Sequence, residues 1–227
     1  MNVFLRFYRT TVGMKQLMAI TGLGLVLFLV GHLSGNLLVF KGQEAMNAYA
    51  AWLKSQGPLL WVARLGLLAV FSLHVYLGVV LKRRSARARP VPYQYDETLQ
   101  ATWTSRSMVL TGLLVLGFVL FHLAHFTLGA SPHSELLDAQ GRHNVFAMVV
   151  RDFGNPLVVL IYLGALGVLA AHLSHGISSL FQTLGLTHPH YATLIRRLGL
   201  AAATILFLGY ATIPLAIAFG FVKASAA

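Results

Sequence analysis

Between Lys15 and Lys41 the chain runs without a formally charged side chain, and four later stretches repeat this long apolar pattern. At a rise of about 1.5 Å per residue, roughly 20 residues in a helix cross a hydrocarbon layer ~30 Å thick. The pattern predicts five spanning helices at about residues 17–39, 59–81, 107–128, 156–183 and 198–221. The first run is longer than a signal-peptide core and no small-residue cleavage pattern follows it, so it reads as a retained helix. Ahead of it, residues 1–11 mix Phe4, Phe7 and Tyr8 with Arg6 and Arg9, which predicts an interfacial helix. Residues 42–55 place Met46, Tyr49 and Leu53 at helical spacing and predict a short helix on the membrane face. Pro90 and Pro92 make residues 84–95 an expected extended linker, and Pro214 an expected kink in the fifth helix.

Composition strengthens this reading. The chain is 57% hydrophobic and only 10% charged, against about a quarter charged in soluble domains. It is therefore read as one all-α integral membrane domain over residues 1–227, a five-helix bundle. The net charge of +11 would suit nucleic acid, but the positions of the charges argue against that, because the basic residues gather at the ends of apolar runs. Lys15, Lys82, Arg83, Arg84, Arg87, Arg89, Arg106, Arg196 and Arg197 all belong to one set of loops, while the other set is poorer in Lys and Arg. By the positive-inside rule the N-terminus and the second and fourth loops are cytoplasmic, and the C-terminus is outside. There is no cysteine, which excludes thiolate-held clusters, covalent c-type haem and disulfides.

The candidate chemistry lies in the spans. His32, His74, His122 and His172 sit deep in four different helices, where an ionisable side chain is costly and marks a functional site by default. One such histidine is readily explained as an interhelical hydrogen-bond donor. Four on four helices point to metal ligation, with two bis-histidine b-type haems as the expected arrangement. Gly31, Gly35, Gly78, Gly164 and Gly176 offer room for a flat macrocycle, or ordinary close helix contact. His125 and His175 follow His122 and His172 at i+3, on nearly the same helix face. These H-x-x-H pairs raise a bare-metal or transporter alternative, which the absence of Asp or Glu from every span disfavours. They read instead as hydrogen-bonding partners near the haem edges. His133, His143, His188 and His190 fall in loops and are expected to be solvated. Arg64 is balanced between snorkelling to the interface and meeting a propionate or quinone.

Several short segments together resemble a known family. They are Gly31-His32, Gly42-Gln43-Glu44-Ala45-Met46-Asn47, Leu73-His74 with Tyr76 and Gly78, Phe121-His122, and His172-Leu173-Ser174-His175-Gly176 leading to Gly185-Leu186-Thr187. The family is the cytochrome b membrane anchor of succinate:quinone oxidoreductases (succinate dehydrogenase/fumarate reductase), in its b558-type, five-helix, dihaem form. The resemblance implies haem binding by the first histidine of each helical motif, which favours His122 over His125 and His172 over His175. It implies electron transfer to or from a membrane quinone, menaquinone or ubiquinone, in the respiratory chain. It also implies a flavoprotein subunit with FAD and an iron–sulfur subunit docked on the cytoplasmic face of a bacterial inner membrane. The succinate site would then lie on a partner, with no catalytic residue and no assigned quinone site in this chain. Higher oligomers of the complex are compatible with this. Relatives with a carboxylate in the helix of the fourth ligand differ from this chain, whose helix IV has none. Anchors of a respiratory hydrogenase or nitrate reductase are the nearest alternative.

Depth predicts how the four histidines pair. Counted from the cytoplasmic helix ends, His32 and His122 lie at roughly 22 and 24 Å, and His74 and His172 at roughly 12 and 15 Å. His32 is expected to share an iron with His122, and His74 with His172. His175, at roughly 10 Å, is set aside on the recurring His-Leu-Ser pattern and the family resemblance.

Overall fold

The helix boundaries follow from local chemistry. The structure is a computed structural model and describes residues 3–88 and 103–224. Thr10 starts the first long helix: its side chain accepts the Gly13 N–H while its own hydroxyl donates to the Phe7 carbonyl. The order is α1 (Val3–Tyr8), α2 (Thr11–Asn36), a 3₁₀ turn (Leu37–Lys41), α3 (Gln43–Ser55), α4 (Pro58–Arg87), α5 (Trp103–Arg106), α6 (Met108–Phe126), α7 (Val145–Asp152), α8 (Pro156–Thr183) and α9 (Ala192–Ala218). Pro58 and Pro156 open α4 and α8, where a missing N–H costs nothing, and Asn155 caps α8 by accepting the Leu157 N–H. Among the described residues the only extended pairing is an isolated bridge between Leu137 and His143.

Five of these helices, α2 with its 3₁₀ turn, α4, α6, α8 and α9, are long and apolar enough to cross a membrane. Their outward faces expose Leu27, Leu65, Leu68, Leu110, Leu160 and Ile205, as helices that are apolar all round do in lipid. Residues 84–87 of the expected extended linker are helical. Arg84–Arg87 continue α4, because Lys and Arg are good helix formers and their charge suits a helix C-terminus. Pro90 and Pro92 lie outside the described residues.

Packing contacts close α4, α2, α8 and α6 into a ring, with α9 laid along α8 and α2. The α8–α9 pairing is the most extensive, and Gly199 permits it. A Cβ there would strike Ser178 Oγ and lie 3.2 Å from the Ser174 carbonyl oxygen. One end of the bundle, the basic end, carries α1, the end of α4, the start of α6 and the α8–α9 turn. There Arg84 Nη1 donates to the Arg9 carbonyl at 2.9 Å, tying α4 to the α1–α2 turn.

The far end is closed by α3, α7 and the loop between α6 and α7. Asn47 on α3 has no exposed surface. Its Nδ2 donates to Asp138 Oδ2 at 3.1 Å and Asn144 Oδ1 at 3.0 Å, and its Oδ1 accepts the Phe146 N–H at 3.0 Å. Asn144 in turn caps α7 through the Ala147 N–H. Arg142 joins Asp138 at 2.8 Å and Glu44 at 2.9 and 2.6 Å. The Arg142 hydrogen bonds hold the Glu44 carboxyl below its ordinary range and push the guanidinium further up. Burial alone would raise Asp138, but hydrogen bonds from Arg142, Asn47 and Gln140 outweigh it and leave the carboxyl lowered.

Replacing Asn47 with leucine strands the Phe146 N–H and is expected to destabilise the protein by about 2 kcal/mol. Thermal unfolding of the detergent-solubilised chain measures this, and an unchanged midpoint contradicts the role given to Asn47. Because both carboxylates are lowered by folding, their stabilisation holds above the unfolded values and fades as pH falls through the folded ones. Hydrogen exchange over residues 138–147, corrected for intrinsic rates, should stay level from about pH 7 to 5 and accelerate only below about pH 4.

Candidate functional site

Each of the four ring helices contributes one of the deep histidines: His32 on α2, His74 on α4, His122 on α6 and His172 on α8. All four are half-buried. The rings of His32 and His122 meet edge to face, with centres 5.9 Å apart and planes at 83°. His74 and His172 lie nearer the basic end, beside Thr21 and Thr111 respectively.

The two levels are built differently. At the level nearer the basic end, Thr21 Oγ1 is 3.1 Å from His74 Nδ1 and Thr111 Oγ1 is 3.1 Å from His172 Nδ1. Both threonines are buried. At the far level, Phe28 stacks on His32 with ring centres 5.3 Å apart, and Tyr210 of α9 approaches at 6.1 Å. Asn36 Nδ2 lies 3.3 Å from His32 Nε2 and donates to the His32 carbonyl at 2.7 Å. The Tyr162 hydroxyl serves two histidines at once, His122 Nδ1 at 3.3 Å and His125 Nδ1 at 3.0 Å.

His125 leads outward from there. Its Nε2 is 3.5 Å from Asp152 Oδ2, and Asp152, itself buried, accepts from Ser131 at 2.6 Å and pairs with His133 Nδ1 at 2.7 Å. His133 and His143 are therefore not simply solvated. His143 Nε2 is 2.6 Å from the Ser134 carbonyl, because the bridge between Leu137 and His143 turns the loop back on itself. His188 and His190 are exposed and stack on each other at 5.0 Å. Arg64 is exposed above the Trp61 ring, 5.2 Å from its centre, the geometry of an interfacial cation–π pair. Gly31, Gly164 and Gly176 border open space, whereas Gly35 makes room for the Tyr49 ring and Gly78 lies near Met18.

The threonines escaped the sequence reading although the chain carries a signal for them. Thr21-Gly22-Leu23, Phe28 and His32-Leu33 recur at identical spacing as Thr111-Gly112-Leu113, Phe118 and His122-Leu123. Eleven residues separate Thr from His in each copy. That is close to three helical turns, so both side chains share one face about 16 Å apart along the axis.

The residues fit haem iron. Two imidazoles bonded to opposite sides of one metal at about 2 Å place their ring centres roughly 6 Å apart, close to the His32–His122 separation. Paired imidazoles without a neighbouring carboxylate suit an ion whose remaining positions a macrocycle fills. Among the described residues, no group of three or more His, Asp or Glu is arranged to hold a bare ion.

Comparison with known proteins adds an independent finding. No curated protein and no solved structure matches the chain. A family model described as the succinate dehydrogenase/fumarate reductase transmembrane subunit matches residues 89–209, just over half of the sequence. This segment contains His122 and His172 with the helices that carry them, and His32 and His74 precede it. Five apolar helices and a match of that extent lead to one conclusion: the chain belongs to the family of succinate dehydrogenase/fumarate reductase transmembrane subunits.

Proposed function

We propose that this protein is the membrane anchor and dihaem cytochrome b subunit of a succinate dehydrogenase or fumarate reductase. In this role it passes electrons between an iron–sulfur subunit and a membrane quinone. The observation that carries the proposal is four deep histidines on four spans without a carboxylate, with the His32 and His122 rings 5.9 Å apart and His74 and His172 each set against a buried threonine. When bound, haem would supply one-electron carrier chemistry, held by His32, His122, His74 and His172. The chain's own contribution is to hold the imidazoles at two depths, roughly 10 Å apart by residue count along the helices. FAD, iron–sulfur clusters and the succinate site belong to partner subunits, since family members serve as the membrane part of such complexes.

The basic end is the docking face for those partners, with the N-terminus cytoplasmic and the C-terminus outside a bacterial inner membrane. Arg83 and Arg87 are exposed there, while Arg84 is committed to the Arg9 carbonyl. In this arrangement His74 and His172 lie nearer the iron–sulfur subunit, and His32 and His122 toward the opposite face. The family match favours this partner set over that of a hydrogenase or nitrate reductase anchor.

Single alanine substitutions read by low-temperature reduced-minus-oxidised spectra test the ligand assignment. His32→Ala and His122→Ala should remove one spectral component, and His74→Ala and His172→Ala the other. Shared loss between His32→Ala and His74→Ala rules the pairing out, and a colourless wild-type protein rules out the proposal. For docking, Arg83→Glu with Arg87→Glu should reduce co-purification of the soluble subunits several-fold while haem per chain stays constant. Undiminished assembly at physiological salt argues against the basic end as the docking face.

A further inference from the structure

The buried threonines at the level nearer the basic end have a role that packing alone does not explain. Each hydroxyl has one hydrogen, and in each case carbonyls of its own helix are in place to receive it. Thr21 Oγ1 lies 2.9 Å from the Leu17 oxygen and 3.0 Å from the Met18 oxygen. Thr111 Oγ1 lies 3.0 Å from the Ser107 oxygen and 3.2 Å from the Met108 oxygen. With its hydrogen so engaged, each oxygen is left to accept from the imidazole 3.1 Å away. Each of these contacts places the hydrogen on Nδ1 and leaves the lone pair on Nε2. The glycine after each threonine completes the fit: a Cβ on Gly22 would lie 3.3 Å from His74 Cε1, and one on Gly112 3.4 Å from His172 Cε1.

We infer that Thr21 and Thr111 are positioning residues for the histidine couple nearer the basic end, fixing the tautomer that presents Nε2 of His74 and His172 to a metal. The inference rests on the haem reading given above and deepens it. It makes α2 and α6 equivalent two-purpose helices. Each supplies one far-level ligand, His32 or His122, and eleven residues earlier the hydroxyl that orients a ligand on the next helix, α4 or α8. A hydrogen bond from Nδ1–H raises the basicity of Nε2 and so favours the oxidised, more positive iron. Removing the acceptor should therefore raise the midpoint potential of that centre.

The test uses the full chain in its membrane complex, with Thr21→Val, Thr111→Val and the corresponding serine variants. Haem per chain is measured by extraction, and each component is followed by redox titration with low-temperature spectra. The valine variants should shift the His74/His172 component upward by a threefold to tenfold change in its one-electron equilibrium, the upper limit being about 59 mV. Serine keeps the hydroxyl and should restore the wild-type value, and the His32/His122 component should not move. Loss of the component in valine but not serine variants also supports the assignment. Wild-type potentials and spectra in both valine variants overturn it, as does equal loss in valine and serine variants. Failure of the haem reading itself is separate: it appears as wild-type protein without haem, or as His74→Ala retaining the component.

Discussion

An imidazole surrounded by hydrocarbon must find bonding partners within the protein, because water is not available to it. Four such side chains in one small bundle make this the governing constraint on how the helices associate. A ring of α4, α2, α8 and α6 meets it by setting each histidine against an adjacent or opposite helix. Helix α9 brings no histidine of its own. It supports the ring with Tyr210 beside His32 and with the close Gly199 contact to α8.

The two levels answer the constraint with different chemistry. Near the basic end each imidazole meets an aliphatic hydroxyl, and the surroundings are small, buried and repeated on two helices. At the far level the imidazoles meet aromatic rings, an amide and a shared phenol. From that phenol a chain of polar groups continues through His125 and Asp152 to His133 in the loop. Two metals held this way would sit in unlike environments, and hydrogen bonding around the ligands is one of the means by which a protein sets a potential.

The far-end loops follow the same logic at the membrane boundary. Asp138, Asn144, Asn47 and Asp152 are all buried there, and each is bonded to side chains or main-chain groups of other segments. This small polar core holds α3 on α7 and leads into α8 through the Asn155 cap. The placement of Tyr162, one and a half turns into α8, therefore depends on residues far outside the span.

By itself the sequence determined that five apolar helices cross the membrane and that a histidine lies deep in each of four. These properties are local: charge-free length, turn-by-turn rise and the count of residues from a helix end settle them. Tertiary structure alone decided what each histidine touches. Thr21 and His74 are on different helices, as are Thr111 and His172, and Asn47 reaches a loop on the other side of two spans. A helix that is apolar on every face carries no pattern saying which side turns inward. The rotation of each helix about its axis is set by packing against its neighbours, through the close α8–α9 approach and the room left at Gly22 and Gly112.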